Sequence, residues 1–200
     1  VVAYAAVTVL RIPVWENSIA LNRSAVKAYP NSARSNLFMG TALFNEAEAT
    51  TDYEEKKRLF AESRDFIEKS LEIHPIYGNA LKMKAGVAAK LFQMDYKYDK
   101  LFDVFTEVLL VKPGTRYVHQ YLEYLTKQGN SRQQLMDFYY RIGFEEFGQK
   151  RGMHSWAEKF LNYGFQLDPN DKRNLRALSI TYDNLGKTDR ANEMRARMNQ

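Results

Sequence analysis

Proline divides this chain into the segments that can fold as continuous helices. Four of the five prolines have similar surroundings, each following an amphipathic stretch and preceding another: Ala28-Tyr29-Pro30, Ile73-His74-Pro75, Val111-Lys112-Pro113 and Leu167-Asp168-Pro169. Because proline cannot continue a helix and restricts the residue before it, each one marks a helix end followed by a new start. Their spacings of 45, 38 and 56 residues indicate a repeated helix–turn–helix unit with insertions.

Helical periodicity between these marks predicts an all-α chain of about ten helices. They are expected near residues 14–29, 33–48, 53–74, 77–93, 96–112, 115–128, 131–150, 154–167, 171–186 and 188–199. Glycine, with 10 residues, is scarce, as long helices require. No alternating strand pattern of useful length is present, so the β content should be near zero.

Local signals predict where several helices begin and end. Three pairs have the spacing of a capping box, in which a hydroxyl and a later carboxylate or amide satisfy free N–H groups; the pairs are Thr51 with Glu54, Ser131 with Gln134, and Ser155 with Glu158. Gly129 and Gly186 lie where helix ends favour a left-handed residue.

Small and large apolar residues recur at matching places in these units. The unit after Pro169 has Leu175, Leu178, Ser179, Tyr182, Gly186 and Ala191; the unit after Pro30 has Met39, Gly40 and Leu43; the helix before Pro169 has Ala157, Leu161 and Gly164. In these residues the chain resembles tetratricopeptide (TPR) repeats, helix pairs of roughly 34 residues. The resemblance implies an α-solenoid of stacked antiparallel helix pairs over residues 13–200 and a role in binding a protein or peptide.

The chain departs from that repeat in three places. The first unit carries about eleven extra residues, expected as a lengthened turn and second helix around Ala49–Glu55. Lys84 stands where leucine is usual, and the interval between Pro113 and Pro169 has room for one extra helix. The stack is therefore expected to change direction near Tyr117–Lys127.

First helices of such pairs line a groove, so outward residues on them are the candidate ligand contacts. These candidates are Arg34, Lys82, Tyr117, Gln120, Tyr121, Tyr124, Arg173 and Arg176. The spacing i, i+4, i+7 places the three tyrosines on one helix face. They either pack between stacked helices or form a ligand-facing patch, and the sequence leaves both readings open. Leu37 and Thr41 replace the Lys and Asn that a chaperone carboxylate clamp needs, which argues against that ligand.

The first residues suggest a membrane context. The run Val1–Leu10 is uncharged and would reach about 15 Å as a helix, half of a bilayer core. We therefore separate a segment 1–12, either the end of a transmembrane helix or an ordinary buried helix. Since the sequence begins with Val1 rather than Met, it is expected to be a fragment or a processed product.

A second resemblance concerns the junction that follows this run. Its residues are Arg11-Ile12-Pro13-Val14-Trp15, Leu21, Pro30-Asn31-Ser32-Ala33-Arg34 and Gly40. They resemble the junction in transmembrane-and-tetratricopeptide, glycosyltransferase-like membrane proteins. The resemblance implies an extracytoplasmic (periplasmic) repeat domain associated with sugar transfer onto proteins. A free cytoplasmic TPR adaptor is the alternative.

No feature of the sequence indicates catalysis, a metal or a cofactor. There is no cysteine, and none of the histidines has a second histidine at i+3 or i+4; the histidines are His74, His119 and His154. No glycine cluster is available to cradle a phosphate. The net charge of +5 is spread over interleaved acidic and basic residues, so nucleic acid is not an expected partner.

Overall fold

A computed structural model describes residues 12–129 and 131–199. In this part of the chain a short 3₁₀ helix precedes ten α-helices, and no strand is present. The 3₁₀ helix is Ile12–Trp15; the α-helices are α1 Ser18–Ala28, α2 Ala33–Ala49, α3 Tyr53–Ile73, α4 Gly78–Asp95, α5 Tyr98–Val111, α6 Arg116–Gln128, α7 Arg132–Tyr140, α8 His154–Leu167, α9 Lys172–Asn184 and α10 Thr188–Met198. The predicted all-α architecture of stacked helix pairs is confirmed.

The predicted apolar segment before Arg11, with its proposed membrane helix, lies outside the described residues. None of the described helices is long and apolar enough to span a bilayer. The described chain forms two compact units, one ending at Lys112 and the next beginning at Pro113.

The first unit stacks α1 to α5 in chain order. The first helices α2 and α4 also touch each other, as they do in a helical repeat. Gly40 lets α2 approach α3 closely, because a Cβ there would lie 2.8 Å from Ile67 Cγ1. Across the same contact, the Ser63 hydroxyl donates to the Gly40 carbonyl at 2.6 Å. Met39 and Phe60 fill the core beside it and are buried.

The second unit contains a helix type that the sequence did not predict. The expected single helix 131–150 is α7 followed by a π-helix, Arg141–Lys150, in which the turns are wider. Gly143 brings this segment against α8, since a Cβ there would lie 3.0 Å from Leu161 Cγ and 3.2 Å from the Ala157 carbonyl. The segment α7–π and α8 form one pair, and α9 with α10 forms the next.

The predicted capping boxes are wrong, because none of the three hydroxyls accepts a hydrogen bond from a helix-start N–H group. Asp52, not Thr51, caps α3 by accepting from the Glu55 N–H at 2.7 Å. Ser131 precedes α7, but its hydroxyl donates to the Leu125 carbonyl. Helix α8 starts one residue before Ser155. The left-handed glycines are confirmed: Gly129 has φ +75° and Gly186 has φ +69°.

Two expected departures have a physical explanation. Only Thr50–Asp52 separates α2 from α3, so the extra residues lengthen the two helices, which have 17 and 21 residues, rather than the turn. Lys84 can stand where leucine is usual because most of its side chain is covered while its Nζ forms an ion pair with Glu107 Oε2 at 2.6 Å. The first predicted helix, 14–29, begins only at Ser18, after the 3₁₀ helix.

Candidate functional site

A groove of about 570 Å³ in the second unit brings together two of the predicted contacts. It lies between the π-helix and α9, which belong to the first helices of consecutive pairs. Cationic side chains line one part, and they are Lys172, Arg173 and Arg176. Apolar and aromatic side chains line another, and they are Tyr140, Phe144, Ala177, Ile180 and Met198. Gln149 completes the lining, so no carboxylate contributes to it.

Arg173 is held in place by its own neighbours. Its Nη2 donates to Asp137 Oδ1 at 2.6 Å, and its guanidinium carbon lies 4.6 Å from the centroid of the Tyr140 ring. Asp171, which caps α9 by accepting from the Arg173 N–H, lies 4.0 Å from the same guanidinium. Arg173 is therefore partly neutralised and serves as a fixed wall of the groove.

Lys172 and Arg176 are different, because they make no ion pair within the described part of the chain. Both side chains are exposed, and their i, i+4 spacing places them on the same face of α9. Ile180 continues that face one turn later and is 38% exposed. Helix α9 thus presents two uncompensated positive charges followed by an uncovered aliphatic side chain.

The π-helix forms the opposite wall. Its Phe144 ring lies 5.5 Å from the Tyr140 ring, and both rings border the groove. Sequence reasoning missed this wall, because periodicity cannot distinguish the i→i+5 register of a π-helix from that of an α-helix. Its trace in the sequence is Gly143, whose small size permits the close contact with α8.

The tyrosines of α6 divide between core and surface. Tyr121 is 9% exposed and packs between Tyr117 and Tyr124, with ring centroids 6.2 Å and 5.6 Å away. Tyr124 is 47% exposed. Gln120 borders a separate cleft of about 400 Å³ between α6 and α8. The structure does not bring these four residues to the groove beside α9, and their role in binding stays a prediction.

The two candidates in the first unit lie on its first helices. Arg34 places its guanidinium carbon 5.1 Å from the centroid of the Phe38 ring, which is itself 45% exposed. Lys82 is exposed on α4. These two residues also stay predictions.

His119 is part of an aromatic cluster rather than a metal site. Its ring stacks 5.4 Å from Phe160 and 6.3 Å from Trp156, and its Nε2 lies 2.8 Å from the Pro113 carbonyl oxygen. Burial lowers the pKa of His119, and nearby Lys159 lowers it further. Burial also disfavours the charged form of Tyr139, and it raises the pKa of that hydroxyl to about 12. Within the described residues, no group of histidines and carboxylates is arranged to hold a metal ion.

Comparison with known proteins gives a likeness only to solved structures. No family model matches the sequence, and no curated protein matches it. A crystal structure of MamA is 14% identical, with a TM-score of 0.36, covering 90% of this chain and 83% of that one. A second MamA structure is also 14% identical, with a TM-score of 0.35 and coverages of 90% and 78%. The crystal structure of YrrB, described as a TPR protein with an unusual peptide-binding site, is 16% identical, with a TM-score of 0.33 and coverages of 88% and 89%.

Proposed function

We propose that this protein is a binding scaffold, not an enzyme, and that the groove between the π-helix and α9 holds an acidic segment of a protein partner. The observation that carries this proposal is the lining of the groove: three cations, no carboxylate and an exposed aliphatic side chain. A partner carboxylate would meet Lys172 and Arg176, and an apolar side chain next to it would cover Ile180.

Physical reasoning favours a peptide over a small molecule in this groove. The cavity is open, and its cations are exposed, so each ion pair formed there gains little by itself and is weakened by salt. Useful affinity then requires several contacts along an extended ligand, with an apolar anchor supplying part of the free energy. A stretch of polypeptide with acidic and aliphatic residues provides both.

A selection experiment tests the proposal. A phage-displayed random peptide library is panned against the wild-type protein, the Arg176→Glu variant and the Arg151→Glu variant. Arg151 is exposed in the same unit and does not line the groove, so its reversal is a matched control. We expect Asp and Glu beside Leu, Ile or Val among the peptides that wild type and Arg151→Glu select, and loss of this preference with Arg176→Glu.

The same experiment can refute the proposal. Selected peptides without acidic enrichment, or the same enrichment with Arg176→Glu as with wild type, would show that the groove does not choose the ligand. Circular dichroism of the variant checks that any loss is not due to unfolding.

We also propose that the repeats follow the membrane-spanning body of a glycosyltransferase-like protein and lie on its extracytoplasmic side. Support comes from the sequence resemblance around Arg11–Trp15 and Pro30–Arg34 and from the uncharged run Val1–Leu10. In that setting the scaffold would gather acceptor proteins or partner subunits for sugar transfer without performing the transfer. The alternative is a free cytoplasmic adaptor.

Reporter fusions to the complete gene product distinguish these two settings. Alkaline phosphatase is active only outside the cytoplasm, whereas green fluorescent protein exported through the general secretory route does not fluoresce. Fusion after the repeats should give phosphatase activity without fluorescence. Fluorescence without phosphatase activity would establish the cytoplasmic alternative and leave the groove proposal unaffected.

A further inference from the structure

A second groove, of about 530 Å³, lies in the first unit between the second helices α3 and α5, with α4 beneath it. It is separate from the groove beside α9, and the first-helix candidates Arg34 and Lys82 do not line it. Small side chains account for its depth: Ala61 on α3 and Ala88 on α4 leave space that longer residues would fill. Leu91 and Val104 extend the apolar floor, and all four side chains are only half-buried.

The charges around this groove are unequally compensated. Lys57 is paired with Asp95 at 3.2 Å and Lys84 with Glu107 at 2.6 Å. Lys97 and Lys100, at the start of α5, are exposed and make no ion pair within the described part of the first unit. Three carboxylates also line the groove, those of Glu68, Asp95 and Asp103, against five cationic side chains, so the lining keeps a net positive charge, and the two lysines that make no ion pair lie at the start of α5.

Exposed aromatic side chains stand at the same end. Tyr96 is 70% exposed, and its ring lies 5.7 Å from that of Phe92, which lines the groove. Tyr53 is 49% exposed and approaches Asp95 through its hydroxyl at 3.5 Å. Tyrosine combines a flat apolar face with a polar tip and is enriched in the energetically important parts of protein interfaces.

The backbone of Tyr96 is the third observation. It has φ +51° and is the one described non-glycine residue at positive φ. A glycine would adopt this conformation without steric cost. A bulky exposed ring kept at a strained position is more consistent with a contact surface than with a turn selected for stability.

From these observations we infer that the groove between α3 and α5 binds an amphipathic helix of a partner protein, whose carboxylates meet Lys97 and Lys100. The apolar face of that helix would cover Ala61, Ala88 and Val104. From Lys57 to Glu68 the α3 wall runs for about 16 Å, which matches about three turns of a bound helix. Helix-in-groove docking of this kind uses apolar anchors at i, i+3, i+4 and i+7.

A fluorescently labelled peptide of about three helical turns tests this inference. It carries leucines along one face and glutamates beside them; a second peptide replaces every glutamate with lysine. Fluorescence anisotropy should show binding of the glutamate peptide to the wild-type protein and at least about tenfold weaker binding of the lysine peptide.

Protein variants locate the binding. Reversing Lys97 and Lys100 to glutamate should weaken binding of the glutamate peptide about tenfold, whereas the same reversal of Lys27 and Lys69 should change that affinity little. The control residues are exposed lysines of the same unit that do not line the groove. Ala88→Phe should also abolish binding of the glutamate peptide, since the ring would occupy the floor of the groove. If this variant does not fold, the charge-reversal variants alone show whether the peptide binds in this groove.

Other outcomes would overturn the inference. The glutamate peptide would fail to bind the wild-type protein, the lysine peptide would bind as tightly as the glutamate peptide, or the two double variants would lose affinity for the glutamate peptide equally. If Arg176→Glu abolished binding of the helical peptide and reversal of Lys97 and Lys100 did not weaken it, the peptide would bind in the groove beside α9. That result would refute this inference while supporting the proposed function, so the two can fail independently.

Discussion

Gly40 and Gly86 occupy similar places near the middle of α2 and α4, but their surroundings differ. A Cβ at Gly40 would lie 2.8 Å from Ile67 Cγ1 and 3.0 Å from the Ser63 carbonyl oxygen, and the latter is backbone that cannot swing away. A Cβ at Gly86 would meet no atom within 4 Å. Glycine is therefore required by packing at the first position only.

The two glycines make a matched pair of substitutions. Gly40→Ala should lower the free energy of unfolding by about 1–3 kcal/mol, because the added methyl group forces α2 away from α3. Gly86→Ala should raise it by up to about 1 kcal/mol, because alanine is the better helix former. Urea denaturation followed by circular dichroism measures both. Equal effects of the two substitutions would contradict the close packing at Gly40.

Tyr96 offers a test of stored strain. Tyr96→Gly should relieve the positive-φ conformation and leave the free energy of unfolding unchanged or higher by up to about 1 kcal/mol, although the ring contact with Phe92 is lost. The same variant should bind the helical glutamate peptide more weakly than wild type. Thermal denaturation and fluorescence anisotropy check the two effects. A clear loss of stability would show that the tyrosine is there for packing.

Sequence reasoning succeeded at the residue scale where the signal was local. Gly40 was predicted as a small residue of the repeat, and Gly129 and Gly186 as left-handed helix ends. It failed for the capping boxes, because a hydroxyl at the correct spacing competes with better acceptors nearby, as Asp52 does with Thr51. Lys172 and Ile180 were not among the predicted contacts, although they share a helix face with Arg176.

At the scale of elements, α6 and α8 are joined by the aromatic cluster around His119. Phe160 and Trp156 stack on the imidazole, and Tyr163 meets it edge-on with a centroid distance of 6.4 Å. Because this burial disfavours the charged ring, the pKa of His119 is lower in the folded protein than its ordinary value of 6.5. The cluster is therefore most stable when His119 is neutral.

The pH dependence of stability follows from the direction of that shift. At a pH well above 6.5 His119 is neutral in both the folded and the unfolded state, and its contribution to stability is complete. As the pH falls below that value, the unfolded chain takes up the proton first, so the folded state loses stability until the folded pKa is passed.

The melting temperature at about pH 7.5 and about pH 5.5 measures this effect, in a window around the ordinary histidine pKa. It should fall with pH in the wild-type protein and fall less in His119→Phe. The exposed His74 provides the control, since His74→Gln should keep the wild-type slope. An unchanged slope in His119→Phe would mean that other groups cause the dependence.

The helices themselves were predictable, because proline and apolar periodicity act within a few residues of each boundary. The π-helix was not, since apolar periodicity does not distinguish its i→i+5 register from that of an α-helix. The groove wall that contains Phe144 could therefore be found only from the structure, whereas α9 could be assigned as a first helix from its resemblance to the repeat.

At the scale of the whole molecule, each unit presents a groove of its own. The second unit has the open, cationic groove along the first helices, and the first unit has the apolar groove between the second helices. The two grooves lie on different helices, and acidic and apolar groups are proposed as ligands for both, so the protein has room for two segments of one partner or for two partners. No residue lines both grooves.

Calorimetric titration of one acidic peptide, selected from the library by the wild-type protein, measures whether the groove beside α9 binds it. The titration is repeated with Arg176→Glu and with Arg151→Glu. The account predicts a dissociation constant at least about tenfold higher for Arg176→Glu and an almost unchanged value for Arg151→Glu. Equal affinities for all three proteins would contradict the claim that the groove beside α9 is where this protein binds its partner.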